Sequence, residues 1–319
     1  MLQDGNSKNF SFPAQLGIFL GLTGAGMVMA SVSSAIIWLA MTHRSFATMQ
    51  TDMTNPAFYN AMMVIQGVST FFLFFLPVIF FALICYRKVS AFAGTLTRIS
   101  YKQIIWVIII LLLVFPVGGM LGEINKVIPI PKSWAIKFQQ MEDARKVEES
   151  IFININSFSR YLLSLFIIAC LPAIFEEFFF RGGLQNIFTR WFKGPVIAIV
   201  VTSIIFSLVH MSYYGFLVRF FLGVILGTIF YLSSSIWLSV LLHFLFNGLQ
   251  ITAMYISQTS RTNSKELEEN FPVWAGAFAL ILLIFAMIKF KKESLAVQEK
   301  FIYHEPDDDD FHNWLAKNN

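Results

Sequence analysis

Six side chains in this 319-residue chain have the types and the spacing to do chemistry. Glu176, Glu177 and Arg181 lie in the stretch Ala173-Ile174-Phe175-Glu176-Glu177-Phe178-Phe179-Phe180-Arg181-Gly182, which is otherwise strongly apolar. His210 closes the apolar run Phe206-Ser207-Leu208-Val209, and His243 and Asn247 stand as His243-Phe244-Leu245-Phe246-Asn247. A charge near a bilayer centre costs about 2.5–3.5 kcal/mol even on lenient insertion scales, so such groups pair, face a water-filled cavity or react. On a helix Glu177 and Arg181 are i and i+4 and can neutralise each other. Glu176 points about 100° away from Glu177, towards the face that carries Phe180. That division leaves Glu176 free to work; the alternative is that both carboxylates only hold helices together. His243 and Asn247, also i and i+4, share one helix face. Brought to one cavity, Glu176, His210, His243 and Asn247 supply a base, a second polariser and imidazole and amide donors. Those are the parts needed to add water to a carbonyl.

The elements that must position these groups are membrane helices. Hydrophobic residues make up 56% of the chain and charged ones 13%, a balance that excludes an ordinary soluble domain. Lys and Arg stand at segment ends without a clustered basic stripe or aromatic platform, so nucleic acid is not an expected partner. Cys85 and Cys170 lie in apolar runs and read as packing residues. The first apolar run is too long and starts too late for a cleavable signal. Spans are expected at about 14–41, 59–85, 104–120, 161 through the Glu pair, 195–213, 216–232, 236–256 and 273–290, each near the ~20 apolar residues that a bilayer requires. Pro116 and the following Gly pair are expected to close the third. The linker Ser233-Ser234-Ser235 is so short that it forces antiparallel neighbours. Between the third and fourth spans, Trp134, Phe138 and Met141 recur at i, i+4 and i+7 among charged residues. That marks an amphipathic helix lying on the membrane surface or capping the bundle. The tail from Lys291 is polar, and its acidic run Asp307 to Asp310, before Phe311 and Trp314, reads as solvated. Lys and Arg asymmetry, with Glu266, Glu268 and Glu269 in an alternate loop, places both termini in the cytoplasm.

In chain order, Glu176-Glu177-x-x-x-Arg181, Phe206-x-x-x-His210 and His243-x-x-x-Asn247 resemble the CPBP family. That family holds CAAX prenyl endopeptidases of the Ras-converting type and bacterial bacteriocin-immunity (Abi) proteins. The resemblance covers about Tyr161 to Ile256. It implies an intramembrane endopeptidase in which Glu176 is the general base on a water, His210 helps hold that water, and His243 and Asn247 form an oxyanion hole. Glu177 and Arg181 are then supporting residues. The family implies a peptide or membrane-protein substrate, a lipidated one among the options, and a multi-pass place in a bacterial inner membrane.

No cofactor is expected. A zinc ion held by Glu176, His210 and His243 is chemically reasonable, but the chain lacks His-Glu-x-x-His, and Asn247 beside His243 suits an oxyanion hole better. Metal-free glutamate chemistry is therefore the preferred reading. Depth poses a difficulty. At 1.5 Å per residue, His210 lies roughly 20 Å along its helix from the cytoplasmic side and His243 only about 10 Å.

The sequence thus reads as an all-α polytopic membrane protein of about eight transmembrane helices with the site inside the bundle. Residues 1–160 supply N-terminal spans and the amphipathic helix, 161–256 the catalytic core, and 257–319 the last span and tail. Its function reads as an intramembrane endopeptidase. Two other readings use the same residues differently. One is a non-catalytic membrane partner, an immunity or scaffold protein; the other is an ion-coupled transporter with Glu and His as a relay, which would favour broken helices in repeated halves that this chain lacks.

Overall fold

The computed structural model describes residues 8–52, 55–87, 89–153, 155–259 and 272–302. The acidic run Asp307 to Asp310, Phe311, Trp314 and the loop acids Glu266, Glu268 and Glu269 lie outside them. Among the described residues the architecture is all-helical. Seven helices are long and apolar enough to span a membrane: α1 (Phe12–Thr42), α2 (Pro56–Cys85), α3 (Tyr101–Val127), α5 (Phe158–Trp191), α7 (Phe216–Ser233), α8 (Ile236–Thr259) and α9 (Val273–Ile302). The amphipathic pattern of the long connection forms α4 (Lys132–Ile153). An eighth apolar helix, α6, runs from Pro195 to Leu208.

Local chemistry sets many of the boundaries. Ser11 caps α1 ahead of Pro13, Ser157 caps α5, and Ser100 with Gln103 forms a reciprocal capping box on α3. Ser234 takes the left-handed conformation that ends α7, so the short serine linker turns the chain straight into α8. Two boundaries differ from the sequence expectation. α3 does not close at Pro116 but continues to Val127; neighbouring helices make an intramembrane proline tolerable, and here α9 packs along α3 with Gly276 against Pro116 and Met120. The fifth span is only a 14-residue helix, and Val209 to Gly215 form turns.

α5 is the axle of the bundle. It touches α1 and α2 on one side, α6 and α7 on another, and α8 along its first half. Two apolar cores result. An aromatic one joins Phe19, Phe81, Phe180, Phe206 and Phe230 around α1, α2, α5, α6 and α7. An aliphatic one joins α3, α7, α8 and α9 through residues such as Ile110, Leu226, Leu242 and Leu283. The polar site lies beside the aromatic core, because Phe180 and Phe206 line both.

Candidate active site

Within α5 the Glu pair occupies a short α-helical piece, Leu171–Glu177, between two π-helical stretches, Leu165–Cys170 and Phe178–Gln185. The first π stretch immediately precedes Pro172, and a third, Phe71–Phe75 in α2, precedes Pro77. A proline lacks an N–H and its ring presses on the carbonyl one turn back, and a wider turn relieves both. The second π stretch contains Gly182 and Gly183. A Cβ on Gly183 would collide with the Phe19 ring of α1 and one on Gly182 with Phe92 and Ala93, so the pair lets α1 and the 89–94 turn close on α5.

Glu177 and Arg181 are both fully buried. Arg181 Nε lies 3.1 Å from Glu177 Oε2, and Arg181 Nη2 donates to the Gly223 carbonyl of α7 at 3.3 Å. The guanidinium also sits 5.0 Å from the centre of the Phe206 ring. The second carboxylate oxygen is occupied as well, because His243 Nδ1 lies 3.0 Å from Glu177 Oε1. Glu177 is thus shared between a guanidinium on its own helix and an imidazole on α8. Removing one partner of such a buried pair costs about 3–5 kcal/mol.

His210 is fixed differently. Its Nδ1 lies 2.8 Å from the Phe206 carbonyl, which can only accept, so Nδ1 carries the proton and Nε2 is left without one. This bond folds the ring back towards Phe206. α6 ends at Leu208, the chain turns, and the imidazole returns one helical turn. Phe206 then meets both histidines edge-on, with ring centres 5.0 Å from His210 and 5.9 Å from His243.

Glu176 is half-buried, and its Oε2 is shielded from solvent without a hydrogen-bond partner. It lies within electrostatic reach of both His210 and Arg181. Asn247, one turn beyond His243 on α8, is half-buried. Glu177, Arg181, His210 and His243 therefore meet around one buried aromatic ring, with Glu176 near His210 and Asn247 on the His243 helix.

Sequence reasoning missed three contributions. The Glu177–His243 contact crosses from α5 to α8, and no local pattern announces it. Gln185, one turn after Arg181, donates to the Gly227 carbonyl at 2.9 Å and continues the side-chain ladder onto α7. Its signal was available: polar residues at 181 and 185 recur at the i, i+4 spacing. Phe206 was read as a motif position, whereas the fold makes it the ring that seats both histidines and the arginine.

Among the described residues no three His, Cys, Asp or Glu side chains are grouped as a metal-ligand set, Glu176, His210 and His243 included. The geometry offers a shielded carboxylate oxygen and two imidazoles whose Nδ1 atoms are already engaged. A neutral His243 that donates Nδ1–H to Glu177 has a bare Nε2. It presents an N–H at Nε2 only as the imidazolium.

No curated protein and no solved structure matches this chain. A family model does, over residues 158–249, a little under a third of the chain, and its description is type II CAAX prenyl endopeptidase, Rce1-like. All six motif residues fall inside that stretch, which is similar to the Rce1-like type II CAAX prenyl endopeptidase family.

Proposed function

We propose that this multi-pass membrane protein is an endopeptidase that hydrolyses a peptide bond inside the bundle by glutamate-activated water. Glu176 takes a proton from the water as its oxygen attacks the peptide carbonyl. His210 holds that water through Nε2. His243 and Asn247 donate to the developing oxyanion, and the imidazolium that this role demands of His243 is balanced across the site, where the carboxylates Glu176 and Glu177 stand against Arg181 and His243. As the tetrahedral intermediate collapses, the C–N bond breaks and Glu176 returns the proton to the leaving amine. The observation that supports this reading best is the bridge from Glu177 to His243 at 3.0 Å, which ties the first motif to the third beside the ring that seats His210. The family description points to a prenylated peptide ending in a CAAX sequence as the substrate class.

The test uses full-length protein in liposomes and a quenched fluorescent farnesylated CAAX peptide. Glu176→Gln should lower turnover about 10²–10⁴-fold, the usual worth of a general base, while the protein still inserts and accumulates. Unchanged turnover would sink the assignment of Glu176. In a parallel arm, prolonged treatment with a strong chelator should leave activity intact. Loss that zinc alone restores would move Glu176, His210 and His243 from handling water to binding metal.

A further inference from the structure

The turn that carries His210 is held from outside the family segment. Met211, the next residue, sits at φ +50°, the left-handed region that a residue with a side chain enters only when its surroundings hold it there. Three side chains from earlier in the chain do so. Asn125 of α3, almost fully buried, donates Nδ2–H to the Tyr213 carbonyl at 3.0 Å and accepts from the Leu217 amide at 3.2 Å. Glu142 of α4 accepts from the Ser212 hydroxyl at 2.9 Å, and that hydroxyl accepts in turn from the Gly215 amide at 3.1 Å. Phe138, one turn before Glu142, stacks on Tyr213 with ring centres 4.5 Å apart and planes 1° from parallel. Burial alone would raise the Glu142 carboxyl, but the hydrogen bonds from Arg145 and Ser212 and the guanidinium charges of Arg145 and Arg219 outweigh it and hold the carboxyl below its ordinary value. Glu142 is therefore an anionic anchor at neutral pH, placed two residues from His210 by way of Ser212.

We propose that Glu142 and Asn125 are positioning residues for His210. In this scheme α4 is a clamp that fixes the 209–215 turn, and with it the direction of His210 Nε2. The site is then incomplete without residues that precede the family segment. As a statement about catalysis this rests on the endopeptidase reading; as a statement about the His210 ring it stands by itself.

The reactivity of that ring towards diethyl pyrocarbonate separates the two. Modification of His210 and His243 would be followed by peptide mass spectrometry on the purified full chain. Loss of one charge-assisted hydrogen bond should raise the His210 rate about tenfold in Ser212→Ala and in Glu142→Ala. The double variant should not exceed Ser212→Ala, because Glu142→Ala cuts a link that Ser212→Ala has already cut. Glu142→Gln keeps an acceptor for Ser212 and should stay near wild type, and His243, bonded to Glu177, should not respond. With the farnesylated peptide, kcat should fall about tenfold in Ser212→Ala while KM holds. Should Glu142→Ala fail to fold, Ser212→Ala and Asn125→Ala decide the matter. A His210 rate equal to wild type in those folded variants overturns the proposal. That rate decides it even where wild type cleaves nothing, an outcome that sinks the endopeptidase reading alone.

Discussion

α1 and α5 are both long apolar helices, yet they stand in different surroundings. In the most apolar stretch of α1 only 11% of residues are buried, against 44% in α5. α1 turns Leu20, Val28, Val32 and Ile36 outward and is anchored at a few points, Phe19 and Trp38 among them. In α5 every residue from Phe179 to Phe188 is buried, so that length is enclosed all round. Apolar content does not tell the two apart, because lipid accepts leucine as readily as a neighbouring helix does. What separates them is charge. A helix carrying two carboxylates and a guanidinium has to be surrounded by partners, whereas α1 has no such obligation.

Substitutions can break this contrast in order of size. The largest effect on stability is expected for Glu177→Gln, which strands Arg181 in the enclosed helix and should cost about 3–5 kcal/mol. A thermal melt in detergent indistinguishable from wild type would show that the ion pair does not hold α5. Next comes Asn247→Ala. Removing one oxyanion donor typically lowers kcat by ~10²–10³, and here KM and melting temperature should barely move. A lower melting temperature with normal turnover per folded molecule would favour the scaffold reading instead. A third and smaller effect is expected where α1 meets α5. Gly183→Ala drives a methyl into the Phe19 ring and should destabilise by about 1–3 kcal/mol. The control is Gly21→Ala on α1, whose new methyl meets nothing within 4 Å and should stay within about 0.5 kcal/mol of wild type. If the two alanines cost the same, α1 is not docked through Phe19.

How much of this was legible in the sequence follows the range of each interaction. Glu177 and Arg181 are one turn apart, and their proximity could be read from spacing. The bridge from Glu177 to His243 joins residues 66 positions apart, and only the fold supplies it. The spans were readable because hydropathy is a local property. The run of α3 through Pro116 was not, because the cost of an intramembrane proline depends on which helix packs alongside. The long connection offered two places for its amphipathic helix. The contacts of Phe138 and Glu142 with the 209–215 turn put α4 on the bundle, a choice made by Tyr213 and Ser212 rather than by α4's own pattern.

The π stretches of α5 also act as phase shifters. Each wide turn absorbs extra chain without extra length, so the side-chain stripe beyond it slips around the axis relative to the stripe before it. The N-terminal portion can therefore present Tyr161 to Thr252 and Tyr255 of α8. The C-terminal portion presents Arg181 and Gln185 to the Gly223 and Gly227 carbonyls of α7. On a uniform helix Tyr161 and Arg181, 20 residues apart, would stand about 160° apart, and the wide turns change that angle. Excising a single residue from 178–180 would rotate everything downstream by about 100° relative to the Glu pair. Arg181 and Gln185 would then leave their carbonyls with the helix shorter by one Phe and still strongly apolar, so along this helix the residue count itself is a functional quantity.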